Sequence, residues 1–206
     1  LLGGYANRKN ASNESTDIWI DDVVITIGNP SPTPSVARTI VDRLDINRFK
    51  SDIQTLSNYG DRCRMSGCAP YTSFINAQNW AGQQLGTMGY APMKHNFTFN
   101  GFSGSNLYAT KVGTVHPDKM YIISAHLDGR GGGGAADDDA SGVALVLEAA
   151  RVFAAPDVRT DISIRFILWD NEESGLYGSN AYVNDRRSMQ GMEDPPVSGQ
   201  FPEPNW

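Results

Sequence analysis

Two stretches of the sequence decide the fold: YIISAHLDGRGGGGAADDDASGVALVLEAARVF at residues 121–153 and DISIRFILWDNEESGLYGS at residues 161–179. Each begins with a short apolar run rich in β-branched residues, which is typical of a buried strand in a parallel sheet. Each run is followed by carboxylates, and the first also by a histidine. In an open α/β sheet, ligands bind in the crevice beyond the carboxyl ends of the strands. We therefore expect these polar side chains to line a binding site.

His126 and Asp128 follow the first predicted strand. Residues i and i+2 of an extended chain point to the same side, so the Asp128 carboxylate can reach the His126 imidazole. A carboxylate in that position fixes the histidine tautomer and directs the other ring nitrogen toward a metal ion. The pair is therefore a candidate metal ligand with its supporting carboxylate.

A glycine-rich loop, GRGGGGAA at residues 129–136, leads to Asp137, Asp138 and Asp139 at the start of a helix predicted over residues 140–153. No Gly-Lys-Ser or Gly-Lys-Thr follows the glycines, which excludes a phosphate-binding loop of that type. Capping of the helix N-terminus explains one aspartate. Three aspartates beside a histidine favour a metal site.

Two consecutive glutamates, Glu172 and Glu173, follow the second predicted strand. Adjacent side chains on a non-helical backbone point in different directions. One glutamate can therefore bind a metal ion while its neighbour holds a water molecule.

Three motifs, in this order, resemble the signature of the bacterial leucyl aminopeptidase family, whose members are co-catalytic di-zinc exopeptidases. They are HLD at residues 126–128, ADDDASG at residues 136–142 and NEESGLYGS at residues 171–179. The resemblance covers roughly residues 58–182. It implies an α/β fold, a three-layer αβα sandwich with a mixed, mostly parallel sheet.

Carried over by position, the resemblance implies two Zn²⁺ ions as cofactors: His126 binds one, Asp138 bridges both, and Glu173 binds the other. It also implies that Glu172 is the general base and that Asp128 supports His126. A cis peptide bond after Asp138 is a further expectation. The residue types suit this chemistry, because zinc binds His nitrogen and carboxylate oxygen, and a carboxylate can bridge two ions.

The implied activity is zinc-dependent hydrolysis of N-terminal peptide bonds, with peptide or protein N-termini as substrates. Glu172 would move a proton from a metal-bridged water to the leaving amine. Three alternatives remain on the same scaffold: a single-zinc glutaminyl cyclase, a carboxypeptidase, and a catalytically dead binding module. The paired glutamates with SGLYGS after them favour a peptidase over the cyclase. The intact motifs favour an enzyme over a binding module.

The N-terminal part has a different pattern. Apolar and polar residues alternate over residues 17–27, and many of them are β-branched, which predicts a strand. It resembles the last strand of a lectin-like β-sandwich, which implies contact with polysaccharide; the alternative is an extra edge strand of the peptidase. Alternating proline and small polar residues at 28–35 are typical of an extended linker. We therefore expect the end of an upstream domain (1–27), a linker (28–38) and a catalytic domain (39–206) that is incomplete at its C-terminus.

The first part of the catalytic domain has regular apolar patterns. Apolar residues at helical spacing predict helices over residues 45–56, with Asp45 as the N-cap, and over residues 71–88. A β-hairpin is expected over residues 93–115, with its turn at residues 101–104.

Cysteine and the remaining histidines carry no predicted chemistry. Cys63 and Cys68 are the only cysteines, and no further Cys or His lies close enough in sequence to complete a metal site with them. They predict a local disulfide, with a thiol site as the alternative. His95, in a strand, and His116, in a turn, are expected to be structural or solvated.

Charge and hydropathy limit the partners. The chain has 17 Lys and Arg against 23 Asp and Glu, a net charge of −6, and no basic stripe, which argues against nucleic acid as a partner. No apolar run reaches the roughly 18 residues of a membrane span. The acidic charge, few cysteines and proline-rich linker favour a secreted enzyme.

The metal ligands within this sequence are too few for a co-catalytic pair, which needs roughly five protein ligands. The resemblance implies one further Asp and one further His, yet no Asp follows Asp194 and no His follows His126. We expect the 206-residue chain alone to bind zinc weakly and to be inactive. Isothermal titration with zinc measures this, and nanomolar binding of two ions would contradict it.

Overall fold

The computed structural model describes residues 36–189, so the N-terminal strand and most of the linker predicted before them lie outside the described residues. Within that range the elements, in chain order, are α1 (Val36–Val41), α2 (Ile46–Asn58), α3 (Thr72–Thr87), β1 (Met93–Phe99), β2 (Phe102–Lys111), β3 (His116–His126), α4 (Ser141–Phe153), β4 (Ile162–Trp169) and α5 (Tyr177–Met189). A short helical turn at Ala136–Ala140 precedes α4. None of these helices is long and apolar enough to cross a membrane.

The four described strands form one mixed sheet in the order β1-β2-β4-β3. β1 pairs antiparallel with β2, β2 pairs antiparallel with β4, and β3 pairs parallel with β4. Because β3 and β4 run parallel, their carboxyl ends meet at the same edge of the sheet, where His126 pairs with Trp169. The polar motifs that follow these two strands are therefore neighbours, as the sequence predicts.

Helices cover both faces of the sheet. Leu107 of β2 and Phe166 of β4 belong to a core shared with α2, α3 and α4. On the other face, Tyr108 and Ile167 pack with Tyr182 of α5. Consecutive strand residues thus face opposite layers, which gives the predicted αβα sandwich. The α/β fold with a mixed sheet is confirmed, but the described part of the sheet is not mostly parallel as expected, since two of its three strand pairings are antiparallel.

The two long N-terminal helices lie where the sequence predicts them. The Asp45 carboxylate accepts hydrogen bonds from the N–H groups of Asn47 (2.9 Å) and Arg48 (3.2 Å), so Asp45 is the N-cap of α2. α3 begins and ends one residue inside the predicted range of 71–88.

The predicted hairpin turn is wrong. Residues 101–104 do not form the turn, because β2 begins at Phe102, which pairs with Phe99. The turn consists of Asn100 and Gly101, whose φ angles are 48° and 77°. Asn-Gly suits a two-residue turn because both residues adopt positive φ at low cost.

β3 is longer than the apolar run at residues 121–125 predicts. It begins at His116, which pairs with Ile162, and its register shifts between His116 and Met120. His116 therefore lies in a strand and not in a turn. The sequence pattern misses this part because it contains polar residues and Pro117, which an edge strand tolerates. α5 has no counterpart among the sequence predictions, because Tyr177–Met189 is mostly polar.

Two leucines of α4 test the assigned core. Leu147 is fully buried, whereas Leu145 in the same helix is 47% exposed. We expect Leu147→Ala to lower the free energy of unfolding by about 2–5 kcal/mol, because it removes buried contacts and leaves a cavity. The matched variant Leu145→Ala should change it by less than about 0.5 kcal/mol. Urea unfolding followed by circular dichroism measures both, and equal losses would contradict the packing of α4.

Candidate metal centre

His126 ends β3 and faces carboxylates with both ring nitrogens. Its Nε2 lies 2.8 Å from Oδ1 of Asp138. Its Nδ1 lies 3.1 Å from the main-chain oxygen of Asp128 and 3.6 Å from Asp128 Oδ1. The hydrogen bond at Nδ1 is thus made with the main chain of Asp128, while the carboxylate provides a nearby negative charge.

The charge around His126 favours its protonated form. Burial by itself lowers the pKa of the imidazole, but the Asp128 carboxylate, followed by Asp139 and Glu172, outweighs it and raises the pKa to about 9. A metal ion at Nε2 must therefore displace a proton, since a histidine binds metal in its neutral form.

The three consecutive aspartates have three different environments. Asp137 is exposed. The Asp138 side chain, 71% exposed, faces His126 across the 2.8 Å contact. Asp139 accepts hydrogen bonds from the N–H of Gly142 at 2.8 Å and from the N–H of His126 at 3.3 Å. The peptide bond between Asp138 and Asp139 is cis, as the resemblance implies.

Asp139 is therefore the one aspartate of the three whose side chain accepts from an N–H group in the first turn of α4. Its position requires glycine at residue 142, because a Cβ there would lie 2.3 Å from Asp139 Oδ1. Burial raises the pKa of Asp139, and the N–H groups of Gly142 and His126 oppose this increase. Its second contact, to the main chain of His126, joins the start of α4 to the end of β3.

Asp128 connects the histidine to the glutamate pair. Its side chain is fully buried, and its two oxygens accept hydrogen bonds from the N–H groups of Glu172 (3.0 Å) and Glu173 (3.2 Å). The structure thus brings the predicted residues of both motifs together through one carboxylate.

The two glutamates differ in exposure. The Glu172 side chain is 32% exposed, and its Oε2 lies 3.9 Å from His126 Nε2. The Glu173 side chain is 6% exposed, and its Oε1 is buried without a hydrogen-bond partner. Arg130 Nη1 lies 3.8 Å from the other oxygen of Glu173. Burial raises the pKa of Glu173, and the negative charges of Asp138, Glu172 and Asp128 add to the increase.

The residue types fit a zinc site. Zinc binds His nitrogen and carboxylate oxygen, and the buried Glu173 oxygen without a hydrogen-bond partner is the kind of acceptor that a cation satisfies. Across residues 36–189, however, no three His, Cys, Asp or Glu side chains are arranged closely enough to hold a metal ion. The donors His126, Asp138 and Glu173 would therefore have to close around an ion or be joined by others.

Several residues that organise the site carry no recognisable sequence motif. Arg62 donates hydrogen bonds to main-chain oxygens next to His126 and before Asp138. Arg64 forms a buried ion pair with Asp170, at 2.7 Å between Nε and Oδ1. The only signal in the sequence is that both arginines flank Cys63.

The predicted disulfide and the predicted structural role of His95 are confirmed. Cys63 and Cys68 form a disulfide, so neither is a free thiol. His95 Nε2 lies 2.7 Å from Asp185 Oδ2, and its Nδ1 accepts a hydrogen bond from the Asn106 amide at 3.1 Å, which is a structural role.

Similar folds occur among solved structures. The aminopeptidase from Aneurinibacillus sp. strain AM-1 matches with a TM-score of 0.63 and 18% identity, over 75% of this chain and 69% of that one. LapB from Legionella pneumophila matches with a TM-score of 0.62 and 25% identity, over 75% and 42%. A glutaminyl cyclase from Fimbriiglobus ruber matches with a TM-score of 0.57 and 20% identity, over 71% and 56%.

Relatives at the sequence level include metalloproteases. The chain is 30% identical over 184 residues to a probable zinc metalloprotease of Pyricularia oryzae, over 76% of this chain and 36% of the relative. It is 30% identical over 155 residues to leupeptin-inactivating enzyme 1 of Streptomyces exfoliatus, over 75% and 34%. The chain thus spans little more than a third of the length of these relatives. Residues 106–193, which contain all five predicted site residues, match the model described as Peptidase family M28.

Proposed function

We propose that this protein is a zinc-dependent aminopeptidase of Peptidase family M28 that removes residues from the N-termini of peptides or proteins. The observation that carries the proposal is the convergence at the ends of β3 and β4. Nε2 of His126 lies 2.8 Å from Asp138 Oδ1 and 3.9 Å from Glu172 Oε2, and Asp128 holds the main chain of Glu172 and Glu173 beside it.

The site residues have distinct proposed roles. His126, Asp138 and Glu173 would together hold the two zinc ions. When bound, the ions supply a water of lowered pKa and polarise the scissile carbonyl. Glu172 Oε2 accepts the proton of the attacking water and later delivers it to the leaving amine. Its partial exposure leaves room for a water beside it.

Asp128 acts through other residues. Its main-chain oxygen accepts from Nδ1 of His126, so Nε2 is the ring nitrogen that would give up its proton and bind a metal ion. Its carboxylate fixes the N–H groups of Glu172 and Glu173, so the base and the ligand keep their separation. Further zinc ligands are proposed to come from outside residues 36–189.

The setting of the enzyme is also a proposal. The Cys63–Cys68 disulfide favours an oxidising compartment, which supports secretion. The strand expected at residues 17–27 supports an upstream domain that contacts polysaccharide.

The two glutamates provide a matched test, because the same substitution is made at adjacent positions. In the full-length protein, we expect Glu172→Gln to keep its zinc but to lower kcat by about 10²–10⁴-fold, because the general base is lost. Glu173→Gln should instead lose zinc. Release of leucine from a chromogenic leucyl amide measures turnover, and elemental analysis measures zinc content.

Controls separate this activity from its alternatives. Chelation should abolish turnover of the wild-type protein, and zinc should restore it. Formation of pyroglutamyl peptide without release of leucine would identify a cyclase. Equal turnover by the zinc-loaded wild-type protein and zinc-loaded Glu172→Gln would show that Glu172 is not the general base. A wild-type protein that binds zinc without any turnover would favour the binding module.

Asp128 provides a second test. We expect Asp128→Asn to weaken zinc binding by about 10–100-fold, because an amide accepts at one atom only and removes the negative charge beside His126. Asp137→Asn makes the same charge change at an exposed neighbouring position and should leave affinity within about 2-fold, as expected for a residue that binds no ligand. Isothermal titration at pH 7 measures both variants of the full-length protein. If both substitutions weakened zinc binding equally, zinc affinity would depend on net charge alone and not on the position of Asp128.

A further inference from the structure

Arg62 is fully buried and directs its guanidinium at main-chain oxygens. Nε donates to Leu127 O at 2.7 Å, and Nη2 donates to Ala135 O at 2.9 Å. Nη1 donates to Gly134 O at 3.0 Å and to Leu56 O at 3.2 Å. One planar group therefore joins the last turn of α2 to two separate points of another segment.

Those two points are the ends of the glycine-rich loop. Leu127 lies between His126 and Asp128, and Ala135 lies three residues before Asp138. The distance between the zinc ligands His126 and Asp138 thus depends on how the loop between them is folded.

The loop cannot hold its own shape. Residues 129–134 contain five glycines and one arginine, so they have almost no side chains to pack. Glycine also loses more conformational freedom on ordering than any other residue. Arg130, the one long side chain, is 80% exposed. Contacts from elsewhere must therefore fix the loop.

The chain from Ser57 to Arg62 packs closely against both ends of the loop. A Cβ at Gly129 would lie 2.7 Å from Asp61 Oδ1, and a Cβ at Gly134 would lie 3.1 Å from the Cβ of Ser57. Glycine is needed at Gly129 because the loop runs directly against the chain that carries Arg62. The close approach and the hydrogen bonds are independent observations of the same anchoring.

The neighbouring Arg64 makes the corresponding contact on the other motif. Its guanidinium binds both oxygens of Asp170, at 2.7 and 3.1 Å, and donates to Ser103 O at 3.2 Å. Asp170 lies two residues before Glu172. The two arginines flank Cys63, so one short segment contacts the chain within three residues of every predicted metal ligand.

We propose that Arg62 is a positioning residue for the metal centre, which fixes the separation of His126 and Asp138 by binding both ends of the loop between them. This inference rests on the proposed zinc site for its functional consequence, but the anchoring of the loop does not. Lysine cannot replace arginine here, because a single ammonium lacks the planar fork that reaches several oxygens at once.

The test compares Arg62→Lys with Arg165→Lys in the full-length protein. Arg165 is equally buried, at 1% exposed, and its guanidinium contacts Thr110 and Tyr182 away from the metal centre. Both variants place a lysine at a buried arginine position, so both should lose stability. Only Arg62→Lys should also weaken zinc binding, by about 10–100-fold. It should also speed amide hydrogen exchange over residues 129–135 in the metal-free protein.

Two further readouts distinguish positioning from general destabilisation. The visible spectrum of the cobalt-substituted protein should change in Arg62→Lys, since it reports ligand geometry, and kcat should fall with KM nearly unchanged. Below its unfolding temperature, Arg165→Lys should have the same cobalt spectrum and the same kcat and KM as the wild type. If Arg62→Lys does not fold, Arg62→Gln, which keeps two N–H donors, is compared in the same way.

The outcomes for the two proposals can be told apart. Zinc affinity and loop exchange in Arg62→Lys that equal those of Arg165→Lys would overturn the role of Arg62. A wild-type protein that binds no zinc would overturn the proposed function, while the exchange rates over residues 129–135 would still decide whether Arg62 anchors the loop.

Discussion

The hydrogen bonds to the buried carboxylate of Asp128 are the interaction on which the assembly of the site depends. A buried carboxylate is costly unless its oxygens accept hydrogen bonds. Here the donors are the N–H groups of Glu172 and Glu173, which follow β4, while Asp128 itself follows β3. The loop after β3 therefore depends on the loop after β4 to satisfy its buried carboxylate. The contact that satisfies this buried charge thus also holds the loop of Glu172 and Glu173 beside the loop of His126 and Asp128.

The charges around this contact explain why two arginines are buried next to an acidic site. Burial lowers the pKa of Arg62, while Asp61, Asp128 and Asp139 oppose the decrease. The guanidinium carbon of Arg64 lies 4.3 Å from the ring centre of Tyr71, and its ion pair with Asp170 compensates a carboxyl whose pKa burial raises. Cations on the inner side thus offset part of the repulsion among the carboxylates. Glu173 Oε1, which is buried without a hydrogen-bond partner, remains an acceptor that a cation could satisfy.

Much of this arrangement could be predicted from the sequence, because it depends on local patterns. The positions of His126 and of the Glu172 pair follow from apolar runs that end in polar residues, and α2 follows from its spacing and its cap. The contacts of Arg62 could not be predicted, since they reach main-chain oxygens 65 to 73 residues away and leave no pattern in the side chains. The Asn100-Gly101 turn could have been found, because that dipeptide favours positive φ at both residues.

The assignment of roles among identical neighbours depends on backbone geometry, which the sequence does not contain. Glu172 and Glu173 donate their N–H groups to the same carboxylate, yet one side chain is 32% exposed and the other 6%. Asn171, with a φ of 58°, turns the chain immediately before them. A buried glutamate with a free oxygen binds a cation without first giving up a hydrogen bond. A partly exposed glutamate can exchange a proton with water, so the turn at Asn171 and the anchor at Asp128 together separate the proposed ligand from the proposed base.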